Sequence, residues 1–224
     1  MVLTVAGVYV GRPAVLGSRR GRPVYSGIVK HPVAAAELAL TEVNLDGDEQ
    51  ADLSVHGGPD KAVYSYPAEH YPGWRAEPEP YELYPGMVGE NVSTSGADEW
   101  SVRIGDRWAW GTAVVEVSQP RSPCYKLAMR VGRQEMIAAM LRTGRCGWYL
   151  RVARTGRVPT EGPMTLVERD ESAPTVGEVY LAANVRAGEL DPGQHRRLLE
   201  RAVRAPALAE GWRHGLGAKL ARLS

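Results

Sequence analysis

Short apolar runs separated by turn-forming residues occupy most of the chain, up to about Pro174. Six of these runs have the length and composition of β-strands, and they cover residues 2–10, 24–29, 62–66, 101–110, 113–117 and 164–169. Gly, Pro, Asn and Asp stand between them, and these residues favour turns over continued strands. Many short strands with frequent turns are typical of an antiparallel barrel or sandwich. We therefore predict a mainly β fold for this part of the chain.

One helix is predicted to interrupt the sheet. Residues 133–143 carry Met136, Ile137, Met140 and Leu141 at helical spacing, and Gly144 follows as a stop signal. We expect this helix to bury its methionines in the core. From Trp148 onward apolar and polar residues alternate again, which returns the chain to a strand.

Three further helices are predicted after Pro174. The segment Thr175-Val-Gly-Glu178 is a capping box, and Asp191-Pro192-Gly-Gln194 supplies an N-cap with a first-turn proline. A third helix is expected to begin near Pro206, because apolar residues follow at a spacing of four. The sequence thus divides into a β-barrel domain at residues 1–174 and a three-helix subdomain at residues 175–224.

The composition limits the kinds of molecule that the protein is expected to bind. The 224 residues are 44% hydrophobic and carry a net charge of +1, which argues against an obligate nucleic-acid binder or a polybasic membrane anchor. The apolar start, residues 1–16, has no basic region, and glycines and a proline interrupt it well short of a membrane span. We expect a cytoplasmic protein whose partner is a small molecule, with no nucleic acid and no membrane.

The segment Ser118-Gln-Pro-Arg-Ser-Pro-Cys-Tyr-Lys126 contains one of the two cysteines. Pro120 and Pro123 stiffen the backbone before Cys124. Arg121 and Lys126 would favour an ionised sulfur if they approach it in space. A thiolate placed in this way could bind a soft metal. A small apolar core residue is the other interpretation of Cys124, and free cysteine usually has that role.

Two other loops combine glycine with groups that bind ligands. In Val55-His-Gly-Gly-Pro-Asp-Lys61, Gly57 and Gly58 would let backbone N–H groups approach a phosphate, and Lys61 would add charge. A plain turn beside a structural histidine, His56, is the alternative. In Tyr84-Pro-Gly-Met-Val-Gly-Glu-Asn91, the last two residues offer an acceptor and a mixed donor–acceptor for a polar heterocycle. A glycine turn with a solvated acid is the alternative, and the loop taken alone favours it.

Several common chemistries lack their motifs. No nucleophile elbow of a Ser/His/Asp hydrolase is present, the histidines and cysteines show no paired zinc spacing, and no G-x-G-x-x-G fingerprint follows a strand. Two cysteines cannot supply the four ligands of an iron–sulfur cluster. Cys124, if functional, would therefore act with a ligand brought from outside the chain.

Together the loops resemble those of the MOSC domain family, in its YiiM-like branch. The resemblance rests on Leu45-Asp-Gly-Asp-Glu-Gln50, Val55-His-Gly-Gly-Pro-Asp-Lys61, Val88-Gly-Glu-Asn91 and Ser118-Gln-Pro-Arg-Ser-Pro-Cys124, in this order. It covers nearly the whole chain and includes a three-helix C-terminal appendage. It implies a MOSC-type β-barrel with interrupting helices that binds the molybdenum cofactor, a molybdopterin, with Cys124 as the ligand of molybdenum.

The resemblance also implies an activity and site roles. The activity is reduction of N-hydroxylated compounds, such as hydroxylaminopurine base analogues, to amines. Because the chain has no cluster cysteines and no flavin or nicotinamide fingerprint, a separate flavoprotein or ferredoxin-like protein would supply the electrons. Lys61 and Arg121 are expected to hold the cofactor phosphate, while His56, Glu90 and Asn91, beside Gly57 and Gly58, contact the pterin.

Two alternatives share the same thiol. In one, Cys124 carries a persulfide and the protein is a sulfur transferase without metal. In the other, the protein carries the cofactor and catalyses nothing. We do not expect a sulfurase that makes its own persulfide, because the sequence lacks the long N-terminal domain that accompanies MOSC in those enzymes. Cys146 matches no residue that the family requires, and we expect a structural thiol there.

Overall fold

A closed barrel of seven strands forms the centre of the molecule. The computed structural model describes residues 1–51, 57–186 and 188–223. The strands are β1 (Val2–Val10), β2 (Ala14–Arg19), β3 (Arg22–Ser26), β4 (His31–Pro32), β5 (Glu37–Leu40), β6 (Val63–Pro67), β7 (Val92–Ser95), β8 (Arg107–Trp110), β9 (Ala113–Pro120), β10 (Trp148–Arg154), β11 (Gly156–Pro159) and β12 (Gly162–Glu168). The order around the barrel is β12, β8, β9, β10, β6, β7 and β1, and pairing of β12 with β1 closes it.

The remaining strands lie outside the closed barrel. Strand β4 pairs with the end of β1, while β2 pairs with β3 and β5 with β11 as two-stranded ribbons. Gly111 and Thr112 connect β8 and β9, whose residues Trp110 and Ala113 lie opposite each other. The predicted hairpin turn is therefore present.

One pair of barrel strands is parallel. Ser65 of β6 lies opposite Val92 of β7, and the two strands run in the same direction. The barrel is therefore mixed, whereas an antiparallel barrel or sandwich was predicted. A parallel pair needs a crossover connection, and residues 68–91, with the helix α1 (His70–Arg75), supply it here.

Helices account for the rest of the regular structure. Beyond α1 they are α2 (Tyr125–Val131), α3 (Glu135–Thr143), α4 (Val176–Asn184), α5 (Pro192–Arg204) and α6 (Glu210–Ala221), with a 3₁₀ turn at Pro59–Lys61. The predicted mainly β fold with interrupting helices is confirmed. The short helices α1 and α2 were not predicted, because six or seven residues carry too little periodicity to be recognised. None of the helices in the described ranges is long and apolar enough to cross a lipid bilayer.

The predicted helix caps are present in the C-terminal helices. The Thr175 hydroxyl accepts from the Glu178 N–H at 3.1 Å, and the Glu178 carboxylate accepts from the Thr175 N–H at 2.7 Å. Asp191 accepts from the Gln194 N–H at 3.0 Å. Helix α6 begins at Glu210 rather than near Pro206, because the Ala209 N–H instead donates to the Ser118 carbonyl of β9 at 3.0 Å.

Two predicted strands are shorter than expected. The run at 24–29 leaves the sheet after Ser26. The run at 101–110 begins as a strand only at Arg107, since Asp106 accepts from the Arg103 N–H at 2.9 Å and closes a turn. A side chain that bonds to nearby backbone competes with strand pairing in this way.

The core is filled by large aromatic side chains in a chain without phenylalanine. Trp74, Trp108, Trp110 and Trp148 are almost completely buried. The same hydrophobic cluster continues from the barrel into α4, α5 and α6, where Leu216 belongs to it. The C-terminal helices therefore share their packing with the barrel. The division at residue 174 stays a prediction.

Gly147, which follows Cys146 and precedes β10, provides a test of this packing. Its φ is +63°, and a Cβ there would lie 2.4 Å from the Ser65 carbonyl oxygen. Gly144 has a similar φ of +70° but open space around it. We expect Gly147→Ala to lower the free energy of unfolding by about 2–4 kcal/mol, because steric overlap adds to the backbone strain.

The matched variant Gly144→Ala should cost only the strain, about 1–2 kcal/mol. Urea denaturation of both variants and the wild type measures the difference. Equal losses for the two variants would contradict the close approach of Gly147 to β6.

Candidate functional site

A cavity of about 90 Å³ lies where several loops meet beside the barrel. Its walls come from the loop after β3, the segment ending at Ala51, the 3₁₀ turn, strands β6 and β10, the loop before β7 and the loop after β9. The side chains that line it include Lys30, Asp48, Lys61, Tyr64, Asn91, Arg121, Cys124, Lys126 and Tyr149. The cavity thus brings a thiol together with four cationic side chains.

Cys124 stands at the junction between a strand and a helix. Strand β9 ends at Pro120, and Cys124 is the N-cap residue of α2, with an extended backbone at φ −129° and ψ 168°. Its side chain is partly exposed and lines the cavity, and within the described residues neither cysteine forms a disulfide. Cys146 is completely buried, and burial raises the pKa of its thiol well above the ordinary value. The thiol that reaches the cavity is therefore Cys124.

Arg121 is a buried cation next to this thiol. Its N–H donates to the Gly147 carbonyl at 3.2 Å, and its guanidinium lies 5.5 Å from the centre of the Tyr64 ring. The guanidinium also interacts electrostatically with Cys124. Within residues 1–51, 57–186 and 188–223, no carboxylate forms an ion pair with Arg121, although only 5% of the residue is exposed. A buried charge without a counter-ion is costly, so an anion bound in the cavity would stabilise this arrangement.

A hydrogen-bonded network fixes the opposite wall. Asn91 accepts from the Tyr64 N–H at 3.0 Å and donates to Asp48 at 2.9 Å. Asp48 also accepts from the Gly11 N–H at 2.8 Å and from the Lys30 ammonium. Burial lowers the pKa of Lys30, and the charge of Asp48 opposes that shift. The predicted residue Asn91 thus lines the cavity while it holds the wall together.

Glu90 lies behind this wall and is absent from the cavity lining. Its carboxylate accepts from the Gly86 N–H at 2.6 Å, from the Ser93 hydroxyl at 3.0 Å and from the Tyr71 hydroxyl. Its second oxygen has no partner among the described residues. Burial raises the pKa of the Glu90 carboxyl. Although they are adjacent in the sequence, Glu90 and Asn91 do not face the same space, because only Asn91 lines the cavity.

The glycine loop is divided between two spaces. Lys61 lines the cavity, whereas Gly57 and Gly58 line a neighbouring cleft to which Lys61 and Ser122 also belong. Burial lowers the pKa of the Lys61 ammonium, and Asp60 opposes that shift. His56 falls in residues 52–56, outside the described residues.

The structure brings four predicted residues, Lys61, Asn91, Arg121 and Cys124, to one cavity. The roles assigned to these residues in binding a cofactor stay predictions. Four further side chains of the lining were not predicted as site residues, namely Lys30, Asp48, Tyr64 and Tyr149. Asp48 belongs to the segment Leu45-Asp-Gly-Asp-Glu-Gln50 that carried the family resemblance, so a signal for it was present. Lys30 and the two tyrosines gave no local signal.

Comparison with known proteins gives consistent results. The model of the MOSC domain matches residues 52–165. Protein YiiM of Escherichia coli is 42% identical over 207 residues, which cover 92% of this chain and 87% of that protein. The crystal structure of YiiM from Geobacillus stearothermophilus superposes with a TM-score of 0.77 at 30% identity and covers 97% of this chain and 99% of its own. A protein of Gibberella moniliformis named "Reductase" is 45% identical over 127 residues, which are 55% of this chain and 22% of that protein.

The exposure of the two thiols predicts different reactivity. We expect iodoacetamide to modify Cys124 in the folded protein and Cys146 only after denaturation, because a buried thiol with a raised pKa is inert. Mass spectrometry of tryptic peptides after timed exposure distinguishes the two sites. Equal rates at both cysteines in the folded protein would contradict the structure.

The raised pKa of the Glu90 carboxyl predicts that the free energy of unfolding depends on pH. Its raised pKa means that the folded protein binds the proton more tightly than the unfolded chain. Wild-type stability should therefore fall, relative to Glu90→Gln, as pH rises above the ordinary value of 4.5, by up to about 1.4 kcal/mol per pH unit until the raised pKa is passed. Urea denaturation at a series of pH values measures this difference.

Glu82 is exposed and serves as the control. Its variant Glu82→Gln should show a nearly constant difference from the wild type over the same pH series. A constant difference for Glu90→Gln as well would mean that the pKa of the Glu90 carboxyl is not raised in the folded state.

Proposed function

Because the chain belongs to the MOSC domain family, we propose that its cavity binds the molybdenum cofactor and that the protein reduces N-hydroxylated compounds to amines. The family and the relatives named YiiM and Reductase support a molybdenum-cofactor-associated function. The observation that carries the finer proposal is the shared cavity of the Cys124 thiol and the buried Arg121 guanidinium.

The side chains in the cavity fit the chemical groups of such a cofactor. A thiolate is a soft ligand and suits a metal that also binds dithiolene sulfurs. Arg121 and Lys61 would pair with the cofactor phosphate, and Arg121 would thereby gain the counter-ion that the described residues do not give it. Asn91, held by Tyr64 and Asp48, would present its amide to the pterin. The cavity of about 90 Å³ would receive the charged end of the group.

The reaction needs two electrons and two protons for each substrate. When bound, the cofactor supplies two-electron redox chemistry at the metal. The N–O bond of R–NHOH breaks, nitrogen is reduced, and the products are R–NH₂ and water. The electrons would come from a separate flavoprotein or ferredoxin-like donor. The contribution of this chain is to hold the thiolate and the cations in place and to wall the cavity with the buried Tyr64 and the partly buried Tyr149.

The test uses protein produced in a host that synthesises the cofactor. We expect the wild type to contain molybdenum and to reduce 6-hydroxylaminopurine with a reduced viologen dye as electron donor. Cys124→Ala should lose at least ~99% of this activity, since it removes a ligand of the metal. Cys146→Ala should keep both the metal and the activity within about twofold, because burial keeps that thiol away from the cavity. Metal analysis and product chromatography provide the measurements.

Each competing function predicts a different result. A sulfur transferase would show a persulfide mass increase on Cys124 and no molybdenum. A cofactor carrier would release a fluorescent pterin yet reduce nothing with any donor. If Cys124→Ala reduced the substrate as well as the wild type does, the assignment of the metal ligand would be wrong.

A further inference from the structure

A second, larger cleft adjoins the cavity. It has a volume of about 560 Å³, within the range of small-molecule sites, about 300–1,000 Å³. Lys61 and Ser122 line both spaces. One side of the cleft comes from the 3₁₀ turn and the end of β9, and the other comes from α4 and α6. The C-terminal helices therefore build a wall next to the proposed cofactor site.

A buried amide that has no partner faces this cleft. Gln119 lines it and is 5% exposed, and in the part of the chain that the structure describes its side chain forms no hydrogen bond. Two other polar side chains of the cleft, Asp60 and Lys219, do have partners. Asp60 pairs with Arg151 at 2.8 Å, and the Lys219 ammonium donates to the Ala183 carbonyl. The amide is therefore open to a group that enters the cleft, and a ligand that offers both a donor and an acceptor would satisfy Gln119.

The other walls suit a flat apolar ring. Trp212, Leu216, Ala183 and Ala209 supply apolar surface, and Trp212 can stack on an aromatic system. Gly57 and Gly58 on one side and Gly211 and Gly215 on α6 add no side chains to the space. Among the described residues, no neighbouring atom outside the local backbone lies within 4 Å of a Cβ built on Gly58, Gly211 or Gly215. Backbone surface of this kind lets a planar ligand approach closely.

The walls are joined at one residue. The Ser118 hydroxyl lies 2.6 Å from the Asp60 carbonyl oxygen and 3.0 Å from the Tyr149 carbonyl oxygen. The Ser118 carbonyl accepts from the Ala209 N–H, just before α6 begins. Ser118 thus connects the 3₁₀ turn, the barrel and the C-terminal helices. The cleft is therefore formed by contacts between these three parts of the fold.

We propose that this cleft is the substrate subsite, and that it binds the heteroaromatic ring of an N-hydroxylated compound, with the Gln119 amide hydrogen-bonded to a donor–acceptor edge of the ring. The ring would stack against Trp212, and its N–OH group would point past Lys61 and Ser122 toward Cys124. The inference rests on the proposed function for the reaction, but binding of the ring can be measured without turnover.

The first test introduces a bulky side chain into the cleft from helix α6. Gly215→Leu places a side chain in the open space of the cleft, whereas Gly217→Leu adds the same side chain to the same helix at another open position outside the cleft. With cofactor-loaded protein, we expect Gly215→Leu to weaken adenine binding and to raise KM for 6-hydroxylaminopurine at least tenfold. Molybdenum content should stay unchanged. Gly217→Leu should stay within twofold of the wild type in all three measurements.

Gln119→Leu tests the hydrogen bond separately. It should weaken adenine binding about three- to tenfold, as expected for the loss of one hydrogen-bonded edge, and purine, which has no amino group, should lose less. Calorimetric titration measures binding for all variants, and circular dichroism shows whether each variant folds.

Failure of this inference can be distinguished from failure of the proposed function. A protein without molybdenum or reductase activity would still show weaker adenine binding in Gly215→Leu if the cleft holds the ring. Active protein in which Gly215→Leu changes neither adenine binding nor KM would overturn the subsite. No saturable adenine binding by the wild type would overturn it as well.

Discussion

The end of strand β9 is the point on which the rest of the structure depends. Within a few residues it pairs with β10, approaches the Asp60 carbonyl through Ser118, accepts from Ala209 and passes into Arg121, whose N–H donates to Gly147. These contacts join residues that are far apart in the sequence. The cavity and the cleft both lie around this one strand end, so a change that displaced it would disturb both.

Buried positive charge gives the cavity its chemical character. Lys30 is compensated by Asp48, whereas Arg121 lies beside the Met140 thioether and the Tyr64 ring and pairs with no carboxylate in the described part of the chain. Such an arrangement reduces stability, because desolvation of a guanidinium is repaid only by an anion. A bound anion would offset this desolvation cost. Binding would therefore raise the stability of the folded protein.

Short sequence motifs predicted the helix caps and turns, which depend on neighbouring residues, but not the contacts between distant segments. The capping box of α4, the N-cap of α5, the Gly144 stop and the β8–β9 turn follow from short segments, and they are present. The parallel β6–β7 pair and the partners of Asp48 depend on contacts between distant segments, which periodicity does not encode. Glu90 shows the same limit. Its residue type suggested ligand contact, and only the fold turns it toward Tyr71 and away from the cavity.

Closure of the barrel pairs strand β1 with strand β12, which is far from it in the sequence. Val2 of β1 lies opposite Thr165 of β12, and the other edge of β1 pairs with β7. On the ribosome, one edge of β1 therefore waits for most of the chain to be translated before its partner emerges. Contacts of such long sequence separation form slowly, and an unpaired edge is open to wrong partners meanwhile. Closure of the barrel is therefore a late step in the folding of each molecule, since it requires β12 to have left the ribosome.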